Sequence, residues 1–334
     1  MRSQNVRVAV TQAEPAWLDL PATVAKTCDL MGKAAKGGAQ LIAFPECWIP
    51  GYPCWIWTRI VDPELGIAYV KNSLRLDSPE MKQIQLCAKT NSIAVSLGFS
   101  ENDNDSLYIS QVTIGPTGQI ETHRRKMKPT HMERTVFGDA SGECFSSVAQ
   151  LPFARVGALS CAEHLQPLLK YHTLSQQEDI HVAAWPPAPP HSGGPETWFM
   201  SGEDLSGCET LAQTYAIESQ SFVLHCTGLV TKEGVERMKI SGMLGLPGGG
   251  CSAVFGPDGR RLTEPVENTV DDIIFADLDM DLIVAMKIFV DVTGHYSRPD
   301  LMSLTVDKRV RKMVHEDEAV NAADITNEAV TEDN

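Results

Sequence analysis

Long apolar runs are missing from this chain: nowhere do about eighteen apolar residues follow one another, the length a membrane-spanning helix needs. The opening residues, Met1-Arg2-Ser3-Gln4-Asn5, carry no apolar stretch of the kind that forms a secretory leader, and no receptor-read address is visible at Asn334. Positive charge is scarce: 28 Lys and Arg stand against 43 Asp and Glu, a net charge of −15 that would repel nucleic acid and anionic membranes. Cysteine is present nine times, but without a CxxC pair or a paired-histidine pattern, so its spacing suits neither a disulfide framework nor a zinc site. A Walker loop and a dinucleotide fingerprint are also missing, and no cofactor or metal is expected. These exclusions leave a cytosolic protein with a neutral small molecule as its partner.

Turning to what is there, 334 residues at 43% apolar composition suffice for one large α/β domain or two average ones. Strand-like runs fall at 6–11, 41–44, 94–99, 110–114, 156–161, 181–185, 222–227, 252–255 and 273–278. Helical patterns lie between several of them. Asp19 is placed to cap a helix over 21–36, with Val24, Cys28, Met31 and Ala35 on one face and Gly37-Gly38 ending it. Pro79 opens another through Met81, Ile84 and Ala88, and a third is expected over 165–177. This alternation indicates an α/β layered protein. One pattern occurs twice: Ile114-Gly115-Pro116-Thr117-Gly118 and Phe255-Gly256-Pro257-Asp258-Gly259 each follow a strand with a Gly-Pro-x-Gly turn. Two hairpins are expected, and with them two sheets of related layout.

Three segments carry the chemistry. In Leu159-Ser160-Cys161-Ala162-Glu163-His164 an apolar strand breaks into polar residues at a thiol. At a strand-to-helix turn that thiol faces a cleft, and a helix N-terminus behind it would favour the thiolate. Leu41-Ile42-Ala43-Phe44-Pro45-Glu46 is an apolar strand ending in a carboxylate, and His123-Arg124-Arg125-Lys126 brings a lysine to the end of another extended segment. Taken singly, each has an ordinary role: a buried cysteine, a turn carboxylate, one base in a basic cluster. Together a base, a cation and a thiol at strand ends suit acyl transfer.

These segments resemble the Glu, Lys and Cys motifs of the nitrilase superfamily, and the surrounding words match as well. Pro50-Gly51-Tyr52-Pro53 follows Glu46, Pro129-Thr130-His131-Met132-Glu133-Arg134 follows Lys126, and His164-Leu165-Gln166-Pro167-Leu168 follows Cys161. The resemblance runs over residues 5–312, and 213–220 with 294–300 are most similar to fungal arylacetonitrilases, cyanide hydratases being close relatives. It implies a four-layer α-β-β-α sandwich with the site at the strand ends. It further implies Cys161 as nucleophile, Glu46 as general base and acid, Lys126 stabilising anionic intermediates and lowering the thiol pKa, and Glu133 positioning Lys126 and substrate. The expected reaction converts a nitrile to acid and ammonia, with some amide; an amidase of the same superfamily is a further possibility.

Ala162 departs from the pattern, since most related enzymes carry tryptophan directly after the nucleophile. The volume it frees would accommodate bulk at the substrate α-carbon. Tyr52, Trp185 and His164 are expected around the substrate, with Trp55, Trp57 and Trp198 as further aromatic candidates; packing is the commoner role for a tryptophan. Residues 1–312 are expected to form one catalytic domain, whose segment 294–300 helps subunits associate into dimers that extend to a spiral. The Pro-, Gly- and Ser-rich segment 186–207 reads as a long loop at the pocket or at an oligomer contact. From Glu316 to Asn334 there are seven acidic residues and no Lys or Arg, so 313–334 is expected to be a disordered tail.

Overall fold

The computed structural model describes residues 4–188, 207–241, 245–310 and 314. Trp198, most of the expected loop and nearly all of the acidic tail lie outside them. The chain begins with β1 (Asn5–Gln12), α1 (Leu20–Lys36), β2 (Leu41–Ala43), α2 (Pro63–Asn72), α3 (Pro79–Asn91), β3 (Ala94–Asp103), β4 (Ser106–Ile114) and β5 (Ile120–Arg125). It continues with β6 (Val148–Gln150), β7 (Arg155–Ser160), α4 (Pro167–Ser175), β8 (Ile180–Trp185), α5 (Gly207–Ser219) and β9 (Phe222–Thr227). Then come α6 (Lys232–Arg237), β10 (Ala253–Phe255), β11 (Asp272–Asp279) and α7 (Asp281–Phe289).

The strands form two sheets, ordered β11-β1-β2-β3-β4-β5 and β10-β9-β8-β7-β6. In each, three successive parallel strands (β1, β2, β3 and β7, β8, β9) are flanked by antiparallel neighbours. Strand for strand, β11-β1-β2-β3-β4 repeats as β6-β7-β8-β9-β10. The twin Gly-Pro turns occupy matching places after β4 and β10. Gly118 (φ 83°) and Gly259 (φ 81°) take the same left-handed conformation, and Gly115 and Gly256 receive the same turn hydrogen bonds.

Burial on both faces explains the nearly continuous apolar strands. Val6, Val8, Val10 and Leu41 of the first sheet interlock with Val156, Ile180, Val182, Phe222 and Leu224 of the second, forming the inner core. The alternate residues Ala9, Ile42, Val95 and Leu97 turn outward against Val24 and Met31 of α1 and Ile84 and Ala88 of α3. On the opposite side Leu159, Ala183, Val223 and Phe255 pack under Ala212, Tyr215 and Ala216 of α5. The result is the expected α-β-β-α sandwich.

Three local differences from the sequence reading have physical causes. The helix expected over 165–177 is a 3₁₀ turn, Cys161–Leu165, followed by α4, because Pro167 has no amide hydrogen and is tolerated only in a helix's first turn. Strand β5 is polar because it lies at a sheet edge. Strand β3 runs on past its apolar part to Asp103, where Glu101 is paired by Arg125, His123 and Ser110.

Candidate active site

Glu46, Lys126 and Cys161 stand just beyond β2, β5 and β7, and the two-sheet topology brings these ends together. Gly98 of β3 makes room for the first: a Cβ there would collide with the Pro45 carbonyl, so only glycine lets the Pro45-Glu46 backbone cross at this height. Lys126 is fixed by continuation of the ladder, its amide donating to Ile109 O at 2.7 Å. Cys161 has φ 49°, a left-handed conformation costly for a residue with a Cβ, and Cys47 (φ 50°) and His131 (φ 45°) share it beside the other motif residues. Three of the ten non-glycine residues with positive φ among the described residues thus lie in or beside the motif segments.

The Lys126 ammonium lies 3.0 Å from Glu46 Oε2 and 2.8 Å from Glu133 Oε2, and all three side chains are buried. Glu133 is aimed by two further contacts, the second supported in turn by Trp57. Thr130 N donates to its Oε2 at 2.6 Å, the Tyr52 hydroxyl donates to its Oε1 at 2.9 Å, and Trp57 Nε1 donates to the Tyr52 oxygen at 3.3 Å. The Cys161 sulfur and a carboxylate oxygen from each of Glu46 and Glu133 lie within 4.8 Å of one another. Glu46 Oε1 is buried with no hydrogen-bond partner among the described residues.

Charge in this cluster decides where the protons sit. Burial pushes Glu46 up to about 7, with Lys126 opposing and Glu133 reinforcing. Burial would neutralise Lys126, but Glu133 and Glu46 hold its pKa well above the ordinary value. For Cys161 burial again leads; Lys126 pulls down, Glu46 and Glu133 push up, and the thiol ends well above its ordinary value. This corrects the expectation of a resting thiolate. The helix expected behind the thiol is a five-residue 3₁₀ turn, and two carboxylates share the single ammonium.

Glu163 joins two of the motif segments. Its Oε2 accepts from Ser160 N at 2.9 Å, and its Oε1 accepts from Met127 N at 2.8 Å and Arg124 Nη2 at 2.6 Å. One carboxylate therefore ties the residue before the thiol to the residue after the lysine. Arg124 also donates to Gln111 Oε1 at 2.7 Å, so its buried charge is held between two elements.

His164 is buried and stacks on Trp185, ring centroids 5.2 Å apart. Its Nδ1 donates to the Cys161 carbonyl at 2.8 Å, and its Nε2 lies 3.1 Å from His181 Nε2. His181 Nδ1 meets Glu178 Oε2 at 2.9 Å, and the Tyr215 hydroxyl donates to Glu178 Oε1 at 2.5 Å. His181, Glu178 and Tyr215 were not anticipated; two histidines seventeen residues apart in sequence give no spacing signal. Tyr52 joins the ionic cluster directly, whereas Trp55 packs edge-on against Tyr69 at 5.2 Å in the apolar core. Ala162 is half-buried in the turn beside the thiol.

The carbon-nitrogen hydrolase family model matches residues 7–288. The chain belongs to the carbon-nitrogen hydrolase family. Among curated members, an arylacetonitrilase of Hypocrea virens is 61% identical over 316 residues, 94% of this chain and 95% of the relative. One from Aspergillus kawachii is 60% identical over 324 residues, covering 96% and 98%. Among solved structures, the NitFhit protein of C. elegans aligns with TM-score 0.68 at 17% identity, over 94% of this chain and 70% of that one. An amidase from Nesterenkonia sp. AN1 aligns with TM-score 0.60 at 18% identity, over 85% and 95%. At such identities these two structures speak for the shared fold alone.

Proposed function

We propose that this hydrolase converts arylacetonitriles and related α-substituted aromatic nitriles to carboxylic acid and ammonia. The observation that carries the reading is the Cys161–Glu46–Lys126–Glu133 cluster in a chain 61% identical, over 94% of its length, to a curated arylacetonitrilase.

A nitrile carbon reacts poorly with water, so a soft nucleophile and prompt protonation of nitrogen are needed. With Glu46 ionised and Cys161 protonated, Glu46 takes the thiol proton as sulfur attacks the nitrile carbon. Glu46 returns that proton to the nitrogen, giving a neutral thioimidate. Water, deprotonated by Glu46, adds next, forming a tetrahedral species that bears both an amine and the enzyme sulfur. Lys126 and the Ala162 backbone N–H supply positive potential for negative charge developing there. Expulsion of ammonia, protonated through Glu46, leaves a thioester that a second water hydrolyses to acid. Expulsion of the sulfur releases amide instead. A difference of about 1.3 kcal/mol between these two barriers sets a product ratio of about nine to one. Glu133, held by Thr130, Tyr52 and Lys126, fixes the ammonium and keeps the local potential negative enough for Glu46 to stay a good base.

Ala162 supports the substrate class, because a tryptophan in its place would fill space next to the thiol. A reducing compartment suits a thiol nucleophile. No helix among the described residues is long and apolar enough to cross a membrane. Self-association is part of the same proposal: Ile288, Phe289, Tyr296, Leu301 and Met302 are 66–78% exposed along α7 and the segment beyond it, an apolar face that a second copy would cover.

The test is chromatographic product analysis with phenylacetonitrile, mandelonitrile and cyanide as parallel substrates and Cys161→Ala protein as blank. Acid from the aryl nitriles, absent in the blank, is the expected result. Formamide from cyanide with little aryl turnover would replace the reading with a cyanide hydratase.

A further inference from the structure

Away from the catalytic cluster, three residues distant in sequence converge on one point. Cys208 lies in the first turn of α5, His225 on β9, and Cys251 in the segment leading into β10. Cys208 Sγ is 3.7 Å from Cys251 Sγ, His225 Nε2 is 3.5 Å from Cys251 Sγ, and donor atoms of all three lie within 4.8 Å of one another. Around a tetrahedral cation with metal–sulfur bonds of about 2.3 Å and metal–nitrogen bonds of about 2.05 Å, the sulfur–sulfur edge is about 3.75 Å and the sulfur–nitrogen edge about 3.55 Å. Two of the three edges therefore already stand at the spacing that coordination requires.

We propose that Cys208, His225 and Cys251 form a binding site for a soft divalent cation of the zinc class, with a fourth position left for water or another ligand. The chemistry is self-consistent. Binding expels one proton from each thiol to solvent, and two thiolates with a neutral imidazole cancel the charge of the cation, which suits a poorly hydrated location. His225 is fully buried; its Nδ1 has no partner among the described residues and its Nε2 meets only sulfur, a weak hydrogen-bond partner. A cation at Nε2 would replace that weak contact with a coordinate bond and leave the hydrogen of the neutral ring on Nδ1.

Rigidity around the ligands supports the same assignment. Cys251 N donates to Thr227 Oγ1 at 2.8 Å, Thr227 N donates to Ser252 Oγ at 2.9 Å, and Ser252 N donates to Gln12 Oε1 at 3.0 Å. A site preorganised by such bonds loses little entropy on binding. The catalytic cluster also gathers two carboxylates and a thiol, but the Lys126 ammonium within 3.0 Å of both carboxylates repels a cation there. A run of rings lies between the two centres: His225 lies 6.2 Å from Trp185, which stacks on His164, which binds the Cys161 carbonyl. Cation binding would thus fasten the start of α5 to β9 behind the wall of the nucleophile turn.

The experiment uses full-length, chemically reduced Cys161→Ala protein, so that the catalytic thiol takes no part. Zinc is titrated in competition with a chromophoric chelator, and cobalt(II) serves as a spectroscopic probe. About one zinc per chain is expected, with a thiolate-to-cobalt charge-transfer band and a raised thermal transition. Cys208→Ser and Cys251→Ser in the same background should each abolish the band and the zinc-dependent thermal shift while unfolding normally without metal. Should Cys208→Ser fail to fold, the half-buried Cys251 provides the same test. Zinc uptake that is undetectable, or that persists unchanged in Cys251→Ser, overturns the site without touching the nitrile chemistry.

Discussion

Glu163 and Arg124 form an ion pair 2.6 Å long with both side chains only 3% exposed. The same carboxylate receives the amides of Ser160 and Met127, so it joins the strand end that carries the thiol to the one that carries the lysine. Burial would raise its pKa, but Arg124 and the two amides hold it below the usual carboxylate range. Its contribution to stability is therefore present above the ordinary carboxylate pKa and lost as pH falls through the depressed folded value.

Glu163→Gln keeps the shape of the side chain but leaves Arg124 buried without a counter-charge. Breaking a buried pair in this way costs about 3–5 kcal/mol. A lower unfolding temperature at neutral pH and a reduced kcat are expected, with the gap from the parent narrowing as the solution is acidified. An unfolding temperature that matches the parent at neutral pH would remove Glu163 from this role.

Glu46 makes the opposite prediction, because its folded value is raised to about 7. Its contribution to stability is complete below the ordinary carboxylate pKa and is lost as pH rises through about 7. Activity runs the other way, since only ionised Glu46 accepts the thiol proton. With a neutral nitrile, kcat/KM should rise about tenfold per pH unit on the acid side and level off above about 7. Glu133→Gln removes a like charge that raises Glu46, so the residual activity should show its acid limb displaced to lower pH. A limb that stays fixed, or moves upward, would separate Glu46 from the rate.

Glu46 and Cys161 are legible in sequence because each is a reactive side chain set where an apolar run ends, and Lys126 because it closes an extended basic segment. Glu133 is not: by itself it is one carboxylate in a polar turn, and only the words around it mark it. The direction of the Cys161 pKa is also hidden, because it depends first on burial and then on how many carboxylates share one ammonium, both set across separate elements. His181 sits inside the apolar strand β8, where a histidine gives no sign of the Glu178 and Tyr215 that meet it from neighbouring elements. The sandwich was readable from strand–helix alternation and the repeated turn, whereas edge strand β5 is polar and edge strand β6 is only three residues long. Cys208, His225 and Cys251 span 43 residues, and local spacing carries nothing about such a grouping.

Ala162→Trp tests the pocket. The tryptophan would occupy space beside the thiol that an α-hydroxyl or α-alkyl group needs, while phenylacetonitrile carries only hydrogens there. Turnover of mandelonitrile should fall at least about tenfold relative to phenylacetonitrile, which corresponds to about 1.4 kcal/mol of transition-state discrimination. The amide share of the products should fall with it. Chromatography of both products from both nitriles reads the two effects at once, and an unchanged amide share would refute the assignment of product partition to this position.

The chain of bonds behind His164 constrains its own protons. The Cys161 carbonyl only accepts, so His164 Nδ1 carries hydrogen and, in the neutral ring, Nε2 accepts. Burial and His181 hold His164 well below its ordinary pKa, so the neutral ring is the resting form. His181 must then donate from Nε2, which leaves its Nδ1 to share a proton with Glu178. Glu178→Gln satisfies that pattern without any charge: the amide NH₂ donates to His181 Nδ1 and the amide oxygen accepts from Tyr215. This variant should remain within about 1 kcal/mol of the parent in stability. His181→Phe fills the volume but strands His164 Nε2 and a buried carboxylate, a loss of about 3–5 kcal/mol. Denaturant unfolding of the two variants side by side decides the matter, and equal losses would show that Glu178 must be charged for the nucleophile turn to hold.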